Sequence, residues 1–134
     1  MLFFGKGGKK RVLVIDDEPL ILETLDAWLK MQGYTAFTAP DPVSGVEMAA
    51  KKQPDLIILD NYMGSLSGFD ALAKLRSDPK TSKTPVIMMS GFDKSIATVE
   101  AAFKAGANAF IPKPPDFERL KQKIVSLLSN QGLS

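Results

Sequence analysis

The chain has 134 residues, a net charge of +2, 45% hydrophobic and 24% charged residues, and neither cysteine nor histidine. That length and balance suit one globular domain and exclude a disordered chain, and no apolar run approaches the ~20 residues of a membrane helix. Without cysteine or histidine there are no disulfides, thiolate or imidazole ligands, or cysteine or histidine nucleophiles, so chemistry must rest on carboxylates, lysine, hydroxyls and backbone.

The charge is unevenly placed. Residues 1–11 (MLFFGKGGKKR) carry Lys6, Lys9, Lys10 and Arg11 without an acid, while the remainder holds 13 basic against 15 acidic residues, a net −2. The basic balance therefore reads as a property of a flexible leader over residues 1–10 and not as a sign of nucleic-acid binding. Its short apolar start does not make a secretory signal, and Leu2 stands where myristoylation needs glycine.

Apolar runs then alternate with amphipathic stretches. Val12–Ile15 (VLVI) predicts a strand buried on both faces. Pro19 opens a first helix, with Ile21, Leu25, Trp28 and Leu29 on one face and Gly33 as its stop. Tyr34–Thr38 predicts a second strand. A second helix starts at Asp41-Pro42, with Val43, Val46 and Ala50 inward, and ends before Pro54. Leu56–Leu59 (LIIL) predicts a third strand closing at Asp60, followed by a loop with Gly64 and Gly68 and a helix carrying Phe69, Leu72 and Leu75.

A polar connection, Ser77–Pro85, leads to a fourth strand, Val86–Met89, ending at Ser90-Gly91. The fourth helix carries Ile96, Val99 and Phe103 and stops at Gly106. Ala107–Ile111 predicts the fifth strand, ended by Pro112-Lys113-Pro114-Pro115. The last helix places Phe117, Leu120, Ile124, Leu127 and Leu128 on one side. Five strands alternating strictly with five helices predict one α/β domain over residues 11–129, with helices on both faces of a parallel sheet and a polar end at 130–134.

In such folds ligands bind beyond the carboxyl ends of the strands. The first strand delivers Asp16-Asp17-Glu18 there, the third Asp60, the fourth Ser90, and the fifth is followed by Lys113. If the first and third strands are neighbours, at least three carboxylates converge. Such a cluster needs a compensating cation, and oxygen-only ligands suit Mg²⁺. Each residue has a plainer use as a helix cap, turn former or surface charge, and Phe110 as a core aromatic. What outweighs those uses is acids, hydroxyl and lysine at four strand ends on one edge.

The ordered set Asp16-Asp17-Glu18, Asp60-x-x-Met63-x-x-x-x-Gly68, Ser90-Gly91, Phe110 and Lys113-Pro114 resembles the CheY-like receiver domains of bacterial two-component response regulators, from about Arg11 to Leu128. The resemblance implies a flavodoxin-like sheet in the order 2-1-3-4-5. It implies Asp60 as phosphoacceptor, served by a sensor histidine kinase, a phosphotransfer protein or a small phosphodonor. It implies Mg²⁺ (or Mn²⁺) held by Asp16, Asp17, Asp60 and the Tyr62 backbone carbonyl, Asp16 acting largely through water. Lys113 would pair with phosphoryl oxygens through a cis bond to Pro114, Ser90 would hydrogen-bond the phosphoryl group, and Phe110 would turn inward after it. The catalysis implied is limited to the chain's own phosphorylation and dephosphorylation.

Two departures from the family pattern stand out. Gly64 replaces the usual proline after the methionine and loosens that loop, and Phe110 lacks the hydroxyl of the common tyrosine. Tyr62 and Phe92, each two residues past a site residue, are bulky enough to shield an aspartyl phosphate from water, which would slow autodephosphorylation. Output is expected through a partner protein at the face of the fourth helix, fifth strand and fifth helix, including Lys104, Phe110, Lys121 and Lys123, in a cytoplasmic setting without direct nucleic-acid contact.

The alternatives are a phosphorylation-independent binding module and a receiver fragment of a larger regulator or hybrid kinase. A haloacid-dehalogenase-like phosphatase would need D-x-D-x-T/V where this chain has Asp16-Asp17-Glu18-Pro19. A flavodoxin-like nucleotide binder is disfavoured because three acids in the first strand–helix loop would repel a phosphate.

Overall fold

A computed structural model describes residues 8–63, 66–91 and 94–130. Its main sheet comprises β1 (Arg11–Ile15), β2 (Thr35–Ala39), β3 (Leu56–Asp60), β6 (Val86–Ser90) and β7 (Ala109–Pro112). All neighbours are parallel, in the order β2-β1-β3-β6-β7. The helices are α1 (Pro19–Met31), α2 (Pro42–Lys52), α3 (Gly68–Ser77), α4 (Ile96–Lys104) and α5 (Phe117–Asn130). This is the five-strand, five-helix order read from the sequence. Among the described residues no helix is long and apolar enough to cross a membrane.

Strand alternation divides the core in two, because successive side chains point to opposite faces. Leu13, Ile15, Ile57, Leu59, Val86 and Met88 meet Ala49 of α2, Ala71, Leu72 and Leu75 of α3, and Ala102 of α4. Val12, Val14, Leu56, Ile58, Ile87 and Met89 meet Leu25 and Leu29 of α1 and Leu120 and Ile124 of α5. The continuous apolar runs of the central strands are thus apolar because both faces are covered. Trp28 and Phe117, with ring centroids 5.1 Å apart, join α1 to α5.

Several boundaries and phases depart from the sequence reading. Helix α2 buries Pro42, Gly45 and Ala49, while Val43 is 56% exposed. The small Gly45 turns inward because the helix presses on β1, where a Cβ at that position would sit 2.7 Å from Ile15 Cδ1. Helix α4 buries only Ala102 and leaves Ile96 79% exposed, with Phe103 also largely outside.

The last strand begins two residues later than expected. The Ala107 amide still serves the end of α4 by donating to the Ala102 carbonyl at 3.0 Å, past Gly106 at φ +111°. The segment after Asp60 is not a plain loop. Tyr62–Met63 (β4) and Leu66–Ser67 (β5) pair antiparallel, with Tyr62 opposite Ser67 and Met63 opposite Leu66.

At the amino end, Arg11 belongs to β1. Its amide donates to Asp55 Oδ2 at 2.7 Å, and its guanidinium lies 5.2 Å from the Phe37 ring centroid. Residues 1–7 of the expected leader, Gly64, Phe92 and residues 131–134 lie outside the described residues, as does the Tyr62 side chain.

Candidate phosphoacceptor site

Each candidate residue reaches the same edge because its strand ends there. The β1–β3 pairing sets Ile15 opposite Leu59, so Asp16 and Asp60 leave adjacent strands side by side. The β3–β6 pairing sets Asp60 opposite Met89, and β6–β7 sets Ser90 opposite Pro112. The Asp16 amide is held by the Ala39 carbonyl at 3.1 Å, and the Lys113 amide by the Ser90 carbonyl at 2.9 Å. The Lys113-Pro114 bond is cis, as the resemblance implies.

Asp16 and Ser90 are fully buried, Asp60 is 3% exposed and Asp17 faces solvent. One carboxylate oxygen from each of Asp16, Asp17 and Asp60 lies within 4.8 Å of the others. Above them opens a cleft of about 510 Å³ lined by Asp17, Glu18, Ile21, Asp60, Gly91, Lys113 and Pro114. Ser90 is placed at the strand end beneath this lining rather than on its wall.

The Lys113 ammonium lies 2.6 Å from Glu18 Oε1, 2.9 Å from Asp16 Oδ2 and 3.4 Å from Asp60 Oδ2. Burial works against its charge. The hydrogen bonds to Glu18 and Asp16 and the charges of Asp16 and Asp60 outweigh that cost and raise its pKa above the ordinary lysine value. Burial raises the Asp16 pKa, opposed by the Glu18 amide at 2.9 Å from Oδ1 and by Lys113.

A hard cation fits this donor set. The ligands are all oxygen, three acids converge near one ammonium, and the buried Asp16 Oδ2 has the Lys113 ammonium at 2.9 Å as its one polar neighbour among the described residues, leaving a lone pair for a metal. Asp16, Asp17 and Asp60 are the side chains placed to hold it.

Phe110, in β7, is buried on the opposite core face from Ile111, beside Met88. It also lines a groove of about 370 Å³ between α4 and α5, together with Val99, Phe103, Lys94, Arg119 and Lys123. Sequence reasoning gave Glu18 no role beyond adding to the acids, yet among the described residues it is the carboxylate nearest Lys113. Nothing local signals this contact, which joins residues 95 positions apart.

The loop past Asp60 is held by two devices. Ser67 caps α3 by accepting from the Asp70 amide at 3.2 Å, while Asp70 Oδ2 accepts from the Ser67 amide at 3.3 Å. Gly68, which opens the helix, donates to the Asn61 carbonyl at 2.7 Å.

Known proteins share this plan. Residues 12–125 match the family model described as the response regulator receiver domain. The chain is 34% identical over 118 residues to the DNA-binding dual master transcriptional regulator RpaA of Synechocystis, covering 88% of this chain and 48% of that protein. It is 33% identical over 119 residues to protein PilH of Pseudomonas aeruginosa, covering 89% of this chain and 98% of that one.

The chain thus spans about half of the first regulator and nearly all of the second. Among solved structures it resembles the CheY-like receiver domain protein of Methanospirillum hungatei, with a TM-score of 0.86 and 26% identity over 93% of this chain and 98% of the other. Family model, sequence relatives and fold agree, and the chain belongs to the response regulator receiver domains, a family of signalling modules rather than catalytic enzymes.

Proposed function

We propose that the chain is a phosphorylation-switched receiver in which Asp60 accepts a phosphoryl group from a histidine of a sensor kinase or phosphotransfer protein, or from a small phosphodonor. The observation that carries this reading is Asp60 itself. It is nearly buried at the floor of an open cleft, with a lysine 3.4 Å away and two more carboxylates within 4.8 Å.

An ionised Asp60 oxygen attacks phosphorus as the bond to the donor breaks, and the bonding pair leaves with the donor atom. A bound Mg²⁺, held by Asp16, Asp17 and Asp60 with the Tyr62 carbonyl, would neutralise charge on the phosphoryl oxygens. Lys113 supplies a fixed positive charge to the same oxygens. Such transfer asks the protein mainly for position and charge, which strand ends provide with little freedom to drift.

Phosphorylation adds ~1.5–2 negative charges to an acidic site. The Ser90 hydroxyl then turns toward the phosphoryl group, and Phe110 follows into the space left behind. That shifts populations of the α4–β7–α5 face, where Phe103 is exposed and Lys94, Lys104, Arg119, Lys121 and Lys123 supply positive charge to a partner protein.

The test is Mg²⁺-dependent labelling of the full chain by acetyl phosphate. Wild type gains one phosphoryl group by intact mass, and Asp60→Asn gains none. Labelling of Asp60→Asn would overturn the assignment of the acceptor, and a folded, metal-loaded wild type that takes no label would favour a phosphorylation-independent binding module.

A further inference from the structure

Lys113 is the one cation within 4 Å of the site carboxylates among the described residues, and its position is not centred on Asp60. Its ammonium lies within 4 Å of three acids, the shortest contact being to Glu18 at 2.6 Å and the longest to Asp60 at 3.4 Å. The Lys113 side chain is 10% exposed and that of Glu18 is 59% exposed. Glu18 occupies the N-cap position of α1, but its side chain makes no cap hydrogen bond there. Pro19, which has no amide hydrogen, follows it, and the Glu18 carboxylate instead crosses the cleft to the lysine.

We propose that Glu18 is a positioning residue, an exchangeable clamp that parks the Lys113 ammonium short of Asp60 until a phosphoryl group arrives. The inference rests on the reading of Asp60 as phosphoacceptor. A phosphoryl oxygen on Asp60 needs a close donor from Lys113, whose shortest contact is the 2.6 Å hydrogen bond to Glu18, so drawing the ammonium from 3.4 Å onto the phosphoryl group pulls against that bond. Asp16 is fully buried, so water cannot readily take the place of the lysine beside it. Glu18 is open to water, which replaces the lysine at little cost. The lysine therefore exchanges Glu18 for the phosphoryl group while keeping Asp16, and the length of the Glu18 side chain sets how firmly the resting state is held.

The test titrates beryllofluoride, as the phosphoryl mimic, into the Mg²⁺-loaded full chain and its Glu18→Gln and Glu18→Asp variants, followed by fluorine NMR. Glutamine removes the charge and weakens the clamp to a neutral hydrogen bond, whereas aspartate keeps the charge but is one methylene too short to span the cleft. An exposed charged contact of this kind corresponds to a change of about threefold to fivefold in affinity. Both variants are expected to bind beryllofluoride more tightly by that factor, and the nitrogen resonance of the Lys113 ammonium is expected to shift in both before the mimic is added.

If aspartate behaves like wild type and only glutamine binds more tightly, Glu18 acts by charge repulsion and the clamp is overturned. Unchanged or weaker binding in both variants overturns it as well. If wild type itself binds no beryllofluoride while folded and loaded with Mg²⁺, the failure lies with the phosphoacceptor reading, which removes the basis of the clamp.

Discussion

The Gly68 amide donates to the Asn61 carbonyl at 2.7 Å, and a Cβ added to Gly68 would stand 2.7 Å from Asn61 Cα. The start of α3 is thereby drawn against the backbone that follows Asp60, closer than any residue with a side chain permits. Gly68→Ala is expected to destabilise the chain by ~1–3 kcal/mol, the usual cost of overpacking against backbone that has nowhere to move. Gly91→Ala is the control, because the nearest atom to its Cβ would be 3.6 Å away. Urea unfolding of both variants checks this, and equal midpoints would show that the Asn61 turn relaxes freely.

Gly45 makes a similarly close approach to β1. Its Cβ would lie 2.7 Å from Ile15 Cδ1 and Cγ2, and Ile15 is fully buried immediately before Asp16. Gly45→Ala should cost ~1–3 kcal/mol. Adding Ile15→Val removes one of the clashing atoms, so the double variant should be more stable than the sum of the two single changes implies. A double-mutant cycle by thermal or urea unfolding measures the coupling, and strict additivity would contradict the contact.

Arg76 ties together two connections at the opposite edge of the sheet from the acidic cleft. Its guanidinium donates to the carbonyls of Gly106 at 2.8 Å and Thr84 at 2.8 Å, to those of Thr81 and Ser82 at 3.2 Å each, and to Asn108 Oδ1 at 3.2 Å. Asn108 Oδ1 also accepts from the Val86 amide at 2.9 Å. Arg76→Ala leaves several partly buried carbonyls short of a donor and should cost about 2–3 kcal/mol. Arg76→Lys should recover little of it, because an ammonium cannot reproduce the planar fork. Full rescue by lysine in urea unfolding would contradict the network.

The acidic cluster makes a separate prediction about metal. Asp17 is its exposed member, so removing its charge disturbs folding least. Asp17→Asn should weaken Mg²⁺ binding on the order of tenfold, the equivalent of ~1.4 kcal/mol, with thermal stability in chelator near wild type. Isothermal titration calorimetry reads the first quantity and thermal unfolding in chelator the second. Chelation of wild type should stop acetyl phosphate labelling and readdition of Mg²⁺ should restore it. Undiminished Mg²⁺ binding by the variant would remove Asp17 from the ligand set.

Much of the fold was legible along the chain because its signals are local. VLVI and LIIL are fully apolar because strands covered on both faces need no polar alternation, and Pro19, Asp41-Pro42 and Gly33 mark helix ends by their own backbone chemistry. The phase of α2 was legible only in part. Val46 packs against the core as expected, but Val43 is exposed and Gly45 lies inside because the helix approaches Ile15 too closely for a larger residue. The β4–β5 pairing escaped for a similar reason, since two-residue strands carry no periodicity.

The sequence by itself determined which residue types end which strands: Asp16 and Asp17 after the first, Asp60 on the third, Ser90 on the fourth and Lys113 after the fifth. Alternation of strand and helix was enough to predict that these ends share one edge, because parallel strands all finish on the same side. Only the tertiary structure decided how the charges divide among themselves. Lys113 stands nearer to Glu18 than to Asp60 because the α1 entrance and the turn after β7 meet across the cleft. A contact between residues 95 positions apart depends on where two loops come to rest, and no local propensity encodes that distance.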